Sequence, residues 1–237
     1  MKIEIMYPEF ISYGETETVA YFEKLFPEAD FYYCRYKDRP YFADHEPDMI
    51  FFGPMAEYNI EKIYFRLLPF KDRLKTLIDQ GTFFLALNNA LDLFGRSLEV
   101  KNGPEAHSLG LFPYRTVRDY DDRISKPALV KFENQYITGS ILGFSNYYGN
   151  EDHYYYTAVY PEMAFNRESV LGGFRYKNAF LCELAGGVFL MNPYLAKRLR
   201  KHFMGDDQIP LESAMTYTYE ENLKLMSKNK EYANRMK

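Results

Sequence analysis

An α/β fold is predicted by three features of this chain. Short apolar runs of strand length recur in its first half, segments of helical period separate them, and one strand passes directly into a helix at Asn88. Strands that alternate with helices imply a parallel sheet covered on both faces, with ligands at the carboxyl ends of the strands.

Lys2–Met6 alternates and opens the first strand, and Pro8 and Gly14 punctuate the loop after it. Val19, Phe22, Leu25 and Phe26 give Thr18–Phe26 a helical stripe. Phe31–Arg35 reads as a second strand and Asp48–Phe52 as a third, buried one that ends at Gly53 and Pro54. Ile60–Gln80 is helical, with Pro69 marking a break because proline lacks the N–H that a helix interior needs. Thr82–Leu87 supplies the next strand. Beyond it, Leu109–Arg118, Ala128–Glu133, Tyr136–Leu142, Tyr154–Val159 and Asn178–Leu184 are short apolar or alternating runs between Gly, Asn and Asp turns, as expected of antiparallel additions to the sheet. Asn192–His202 is a helix with Pro193 in its first turn. Residues 212–237 form a last helix, with Met215, Tyr219, Leu223 and Met226 along one stripe. No repeat or linker divides the chain, so residues 1–237 are expected to be a single domain with 212–237 as its C-terminal extension.

Thr82–Gly95, TFFLALNNALDLFG, is the most telling stretch. A sharp strand-to-helix elbow lifts its apex side chain above the sheet, beside backbone N–H groups that can stabilise an oxyanion. The apex here is Asn88, which accepts the positive φ such a turn demands and cannot attack a carbonyl.

Composition narrows the function classes. At 237 residues the chain can bury roughly 70–75% of its unfolded surface. A net charge of −4, without a basic block, argues against nucleic acid. Glu4 and Pro8 interrupt any signal-peptide core, no apolar run approaches a membrane span, and the expected location is cytoplasmic. Cys34 and Cys182 are too few for a disulfide scaffold or structural zinc site and read as small buried residues. The four histidines, His45, His107, His153 and His202, lack metal-ligand spacing, and no cofactor is called for. Twenty-three tyrosines include the cluster Tyr147, Tyr148, Tyr154, Tyr155 and Tyr156, read chiefly as structural.

Taken together, these segments resemble class I glutamine amidotransferases of the cobyric acid synthase type, and most closely the glutaminase subunits of isoglutaminyl lipid II synthases. IMYPEFISYGETETVAYFEKLF is similar to that family's opening strand, loop and helix, and DMIFFGP to its strand running into a glycine-rich loop. LALNNALDLFG is similar to its cysteine elbow, and SLGLFPYRTVR and GFSNYYG to two further family segments. GGFRYKNAFLCELAGGVFLMNPYLA resembles the segment that carries the family histidine. The likeness spans about residues 1 to 203. It implies a three-layer, flavodoxin-like fold with a mainly parallel central sheet.

The family's chemistry needs a cysteine that attacks the glutamine amide and a histidine that activates it. The resemblance puts Asn88 at the cysteine and Ala185 at the histidine, so both members of the dyad are replaced. Gly53 is kept while Pro54 and Met55 replace glycines of the oxyanion loop, Asn89 replaces the elbow glycine, and Ser145, Asn146 and Tyr147 replace a family Glu-Asn-His segment. Cys182 lies three residues before Ala185 and should face the other way. His153, beside Asp152, is the best relocated base, with a surface histidine the plainer reading. Gly53, Met55, Glu57, Asn88, Asn89, Ser145, Asn146 and Tyr147 are the candidate lining of the old cleft, which Met55, Tyr147 and Tyr148 should occlude.

Three functions are consistent with this pattern. The first is a pseudoenzyme, a degenerate domain that binds or regulates a partner; the resemblance implies an amide ligase similar to the Mur ligases of cell-wall synthesis. The second is an enzyme with different hydrolase or transferase chemistry on a small molecule in the same cleft, drawing on Asn88, Ser145, Asn146, Glu57 and Glu183. The third is a homo-oligomer that assembles through the C-terminal stripe.

Overall fold

The structure, a computed structural model, describes residues 1–149, 151–159 and 169–233. The chain runs through β1 (Lys2–Met6), α1 (Thr16–Leu25), β2 (Asp30–Cys34), β3 (Met49–Phe52), α2 (Glu57–Leu67), α3 (Lys71–Gln80) and β4 (Phe83–Leu87). Then come β5 (Ser97–Val100), β6 (Arg115–Arg118), β7 (Ile124–Phe132), β8 (Gln135–Gly143), β9 (Ser145–Tyr148) and β10 (Tyr156–Ala158). The described remainder is β11 (Leu171–Gly172), β12 (Phe174–Tyr176), β13 (Ala179–Cys182), α4 (Val188–Met191), α5 (Pro193–Met204) and α6 (Glu212–Ala233). Pro69 sits in a three-residue 3-10 turn, Leu68–Phe70, between α2 and α3, which is the break its missing N–H dictates.

The central sheet has the order β2-β1-β3-β4-β13-β12. All its pairs are parallel except β12 with β13. β3 and β4 are buried at every position, as expected of parallel strands covered on both faces. Alternate residues feed two cores. Ile3, Ile5, Phe51, Leu85 and Leu87 meet α1 and α5 through Phe22, Leu25 and Leu199. Met6, Ile50, Phe52, Phe84 and Ala86 meet α2 and α3 through Ile60, Ile63, Leu74 and Leu77. This is the three-layer arrangement that the resemblance implies.

The second half departs from the expected antiparallel additions. β13 extends the parallel sheet beside β4, and only β12 is an antiparallel addition to it. The β7–β8 hairpin belongs to a separate sheet, β11-β10-β7-β8, whose Ala128, Val130, Ile137 and Ile141 pack onto the α1 side. β5, β6 and β9 form a third sheet, in which β5 and β6 are parallel and β9 runs against β6. Leu109–Tyr114 is not a strand. Its backbone instead clasps the loop after β4, with Leu109 N–H donating to Leu93 O at 2.7 Å and Leu111 N–H to Phe94 O at 2.9 Å.

The C-terminal stripe packs on the chain's own fold. Met215 joins the α1-side core, Met226 meets Leu129 and Val159, and the Tyr219 hydroxyl donates to Tyr136 O at 2.7 Å. The β8 edge is tied to α4 and α5 by one side-chain amide. Asn192 Oδ1 accepts from Thr138 N–H at 2.8 Å while its Nδ2 donates to Thr138 O at 2.8 Å and Val188 O at 2.7 Å.

Candidate functional site

The carboxyl ends of β1, β3, β4 and β13 converge on the elbow. Asn88 directly succeeds β4 with φ of +50°, the left-handed conformation that the sequence predicts for the apex. The chain then forms a 3-10 helix of six residues, Asn88–Leu93, in place of the expected longer helix, and this short turn is no helix N-terminus of the oxyanion-binding kind.

Asn88 is 3% exposed and Asn89 1%, so the elbow is closed to solvent. Asn88 Nδ2 donates to Glu183 O at 2.8 Å, and its backbone O accepts from the Tyr147 hydroxyl at 3.3 Å. Asn88 Oδ1 is buried with no hydrogen-bond partner among the described residues. Asn89 turns the other way. Its Oδ1 accepts from Met55 N–H at 3.0 Å, and its Nδ2 donates to Met55 O at 2.6 Å and to Glu57 Oε1 at 3.2 Å. The Met55 N–H of the loop after β3 is thereby engaged, and Pro54 has none to offer. Gly53 is required sterically, since a Cβ there would lie 2.9 Å from Ile11.

Ala185 is fully buried and lies just past β13. It forms a two-way backbone bridge with Ser140 of β8, at 2.9 and 3.0 Å, and its methyl group carries no acid or base. Cys182 joins the α1-side core, and burial, with Glu183 adding to it, pushes its thiol up to about 12. Cys34 is also buried, and burial pushes it to about 12. Neither is a thiolate at neutral pH. His153 packs against Phe174 at 4.8 Å.

The centre of the site is a pair that the sequence does not announce. Asp92, fully buried on the 3-10 turn, accepts from Arg118 Nη2, from Ser145 Oγ at 2.8 Å and from the Tyr147 hydroxyl at 2.9 Å. Burial works against the Arg118 guanidinium, but the Asp92 carboxylate and the Tyr120 hydroxyl more than offset it, so its pKa is raised. Burial first, and Asp92 second, keep the Tyr147 phenol protonated. An acid inside the apolar run LDLF is the available signal for Asp92; nothing in the sequence pairs it with Arg118, twenty-six residues on.

Ser145 and Tyr147 lie at the elbow as hydrogen-bond donors to Asp92. Asn146, between them on β9, is only half-buried and belongs to the opposite face of the strand. Tyr148 also leaves the cleft, with Arg115 stacked over its ring at 4.5 Å. Glu57 is half-buried at the rim. Glu183 lies inward of Asn88. Its carboxylate accepts from the Tyr156 hydroxyl and from Gly173 N–H at 2.7 Å, and burial raises its pKa to about 7 against these bonds. Tyr154 bonds Gly149 and Tyr156 bonds Glu183, which supports the structural reading of the tyrosine cluster. Among the described residues no group of three or more His, Cys, Asp or Glu side chains is placed to hold a metal ion, and no helix is long and apolar enough to cross a membrane.

The strand order, the elbow and the two flanking helical layers define an α/β fold of the class I glutamine amidotransferase type. Two solved structures show the likeness. One described as the crystal structure of glutamine amidotransferase is similar at 10% identity and a TM-score of 0.55, over 85% of this chain and 98% of that one. A glutamine amidotransferase from Thermotoga maritima is similar at 12% identity and a TM-score of 0.50, over 95% and 94%. No family model and no curated protein matches the sequence.

Proposed function

We propose that this chain is a degenerate glutamine amidotransferase-like domain of the cobyric acid synthase type, closest to the glutaminase subunits of isoglutaminyl lipid II synthases, that has lost glutamine hydrolysis and acts as a binding or regulatory partner. In this reading residues 1–237 are that one domain, with 212–237 as its C-terminal extension, of which α6 covers Glu212–Ala233 and residues 234–237 lie outside the described residues. The observation that carries the reading is Asn88, a side chain without a nucleophilic atom, 3% exposed and bonded to Glu183 O where an attacking group would need to meet substrate. Ala185 offers no base, and Met55 N–H is occupied by Asn89. Loss of a covalent nucleophile together with its base removes several orders of magnitude in rate, leaving only oxyanion and binding effects. Both remaining effects need an open cleft, and Met55 and Tyr147 fill this one.

The partner is inferred from the resemblance: an ATP-dependent amide ligase similar to the Mur ligases, in a cytoplasmic, cell-wall setting. Co-purification of such a ligase with the native chain supports that half of the proposal, and native complexes without one overturn it.

Glutamate release from glutamine tests the rest. The wild type, Asn88→Ala and Asn88→Asp are all expected to show none. Turnover by the wild type that either variant abolishes would refute the pseudoenzyme. Asn88→Cys with Ala185→His is expected to recover little, because Pro54 still lacks an N–H and Met55 N–H stays on Asn89.

A further inference from the structure

On the other side of β4 and β13 the chain leaves a cavity of about 180 Å³. Its interior is apolar, with Leu85, Val130, Leu184 and Val188 among the lining. Four rings form a continuous wall. Phe83 stacks on Phe180 at 5.4 Å, Phe180 meets Tyr155 at 5.7 Å, and Tyr155 meets Phe132 at 5.5 Å.

Three basic side chains, all exposed, stand at the rim, each over one of these rings. Arg175 lies over Phe180 at 5.0 Å, Arg198 over Phe132 at 5.2 Å, and His202 against Phe83 at 5.3 Å. Arg198 is bonded to Glu133 at 2.6 Å. Arg175 and His202 have no ion-pair partner among the described residues. In a chain of net charge −4, this basic rim runs against the overall balance.

We infer that this cavity binds a small amphipathic carboxylate, its apolar part inside the ring-lined interior and its carboxylate at Arg175 and His202. Three arguments set that class. An apolar cavity of about 150 Å³ stays dry and takes up a benzene-sized guest, so a single ring or short acyl chain is the matching tail. An anionic head gains charge-assisted hydrogen bonds from the Arg175 guanidinium, which has no ion-pair partner among the described residues. Neutral guests would forgo that gain, and cationic ones would meet like charge. The site is separate from the elbow, so it stands whether or not the chain hydrolyses glutamine.

Octanoate is the probe, titrated by calorimetry. Saturable binding with a Kd of about 1 mM or tighter is expected. Arg175→Glu, at an exposed position, should fold normally by circular dichroism and weaken binding about tenfold or more. Octanol, which keeps the tail without the charge, should bind about tenfold more weakly than octanoate. A second readout comes from inside the cavity. Val130 and Leu184 line it, so Val130→Phe, which fills the void, should weaken octanoate binding about tenfold or more while circular dichroism stays unchanged. Absence of saturable octanoate binding, equal affinity for octanol, equal affinity in Arg175→Glu, or undiminished binding by a folded Val130→Phe would each overturn the proposal.

Discussion

Around Asn88, on one side of β4 and β13, polar side chains fill the space. Arg118, Ser145 and Tyr147 all donate to Asp92, and Asn89 closes the loop at Met55, while Asn88 Oδ1 and Arg118 Nε are buried with no hydrogen-bond partner among the described residues. On the other side the same two strands face β7, α4 and α5 across a void that apolar side chains leave open. The two regions differ in what holds them. A polar cluster is held by its bonds, and each buried group left without a partner, here Asn88 Oδ1 and Arg118 Nε, costs its desolvation. An apolar wall has no such obligation, and it persists around a gap at the cost of lost dispersion contacts alone. The region where the fold is expected to work is closed to solvent, and a cavity of about 180 Å³ lies behind it.

The largest expected effect tests the polar side. Asp92→Asn leaves the Arg118 guanidinium buried without its counter-charge, and chemical denaturation should report a loss of about 3–5 kcal/mol. Asp92→Leu combined with Arg118→Met should recover much of that, since an apolar pair of similar volume often replaces a buried ion pair without penalty. A small loss in Asp92→Asn would mean that this region is looser than its bonding indicates.

Next in size is a pH effect of two buried carboxyls, Glu183 beside the elbow and Glu4 on β1. Burial raises Glu183 from 4.5 to about 7, and Glu4, buried beside Tyr41 and Phe42, likewise. The folded protein thus keeps protons that the unfolded chain releases near pH 4.5. The stabilisation is complete below about pH 4.5 and disappears as pH rises through about 7, roughly 3 kcal/mol for each group. Denaturation midpoints should fall between about pH 5 and 7.5, and Glu183→Gln should flatten part of that slope. Midpoints that rise with pH over this window would contradict the burial of both carboxyls.

The smallest effect compares added volume on the two sides. Ala185→Leu, where the methyl group is fully enclosed, should cost about 1–3 kcal/mol by overpacking. Val130→Ile, which points an extra methylene at the void, should stay within about 1 kcal/mol of the wild type or stabilise it. Equal thermal shifts for the two would erase the distinction between filled and open sides.

The first half of the fold is readable in the sequence because its strands carry their own signal. Met49–Phe52 and Phe83–Leu87 are apolar at every position, which only a doubly covered strand requires, and Pro69 and Asn88 announce their own backbone geometry. Asn178–Leu184 has the same apolar character and nonetheless reads as an antiparallel addition, since a run of that length does not say which neighbour it joins. β5 and β9 are not legible. Ser97–Val100 is half-exposed and short, and the side chains that anchor β9 point to Asp92, a contact made across 53 residues in sequence. The closed elbow is half legible: Asn88, Asn89 and Met55 stand out, while the Asp92–Arg118 pair does not. The cavity leaves no trace at all, because a void is a property of how side chains fail to meet.

Asn89 and Asn192 have in common a use of the amide that goes beyond filling space. Each presents its carboxamide to both the N–H and the C=O of one distant residue, Met55 or Thr138, as a neighbouring strand would. A single side chain thus acts as a detached peptide unit, and its orientation is fixed by polarity as well as shape. Aspartate has almost the same outline but only acceptors at neutral pH, so at either position it would set an oxygen against the carbonyl of Met55 or Thr138. Substitution of either by aspartate, which swaps one nitrogen for oxygen, would therefore unpick the loop after β3 or the β8 edge without adding or removing any bulk.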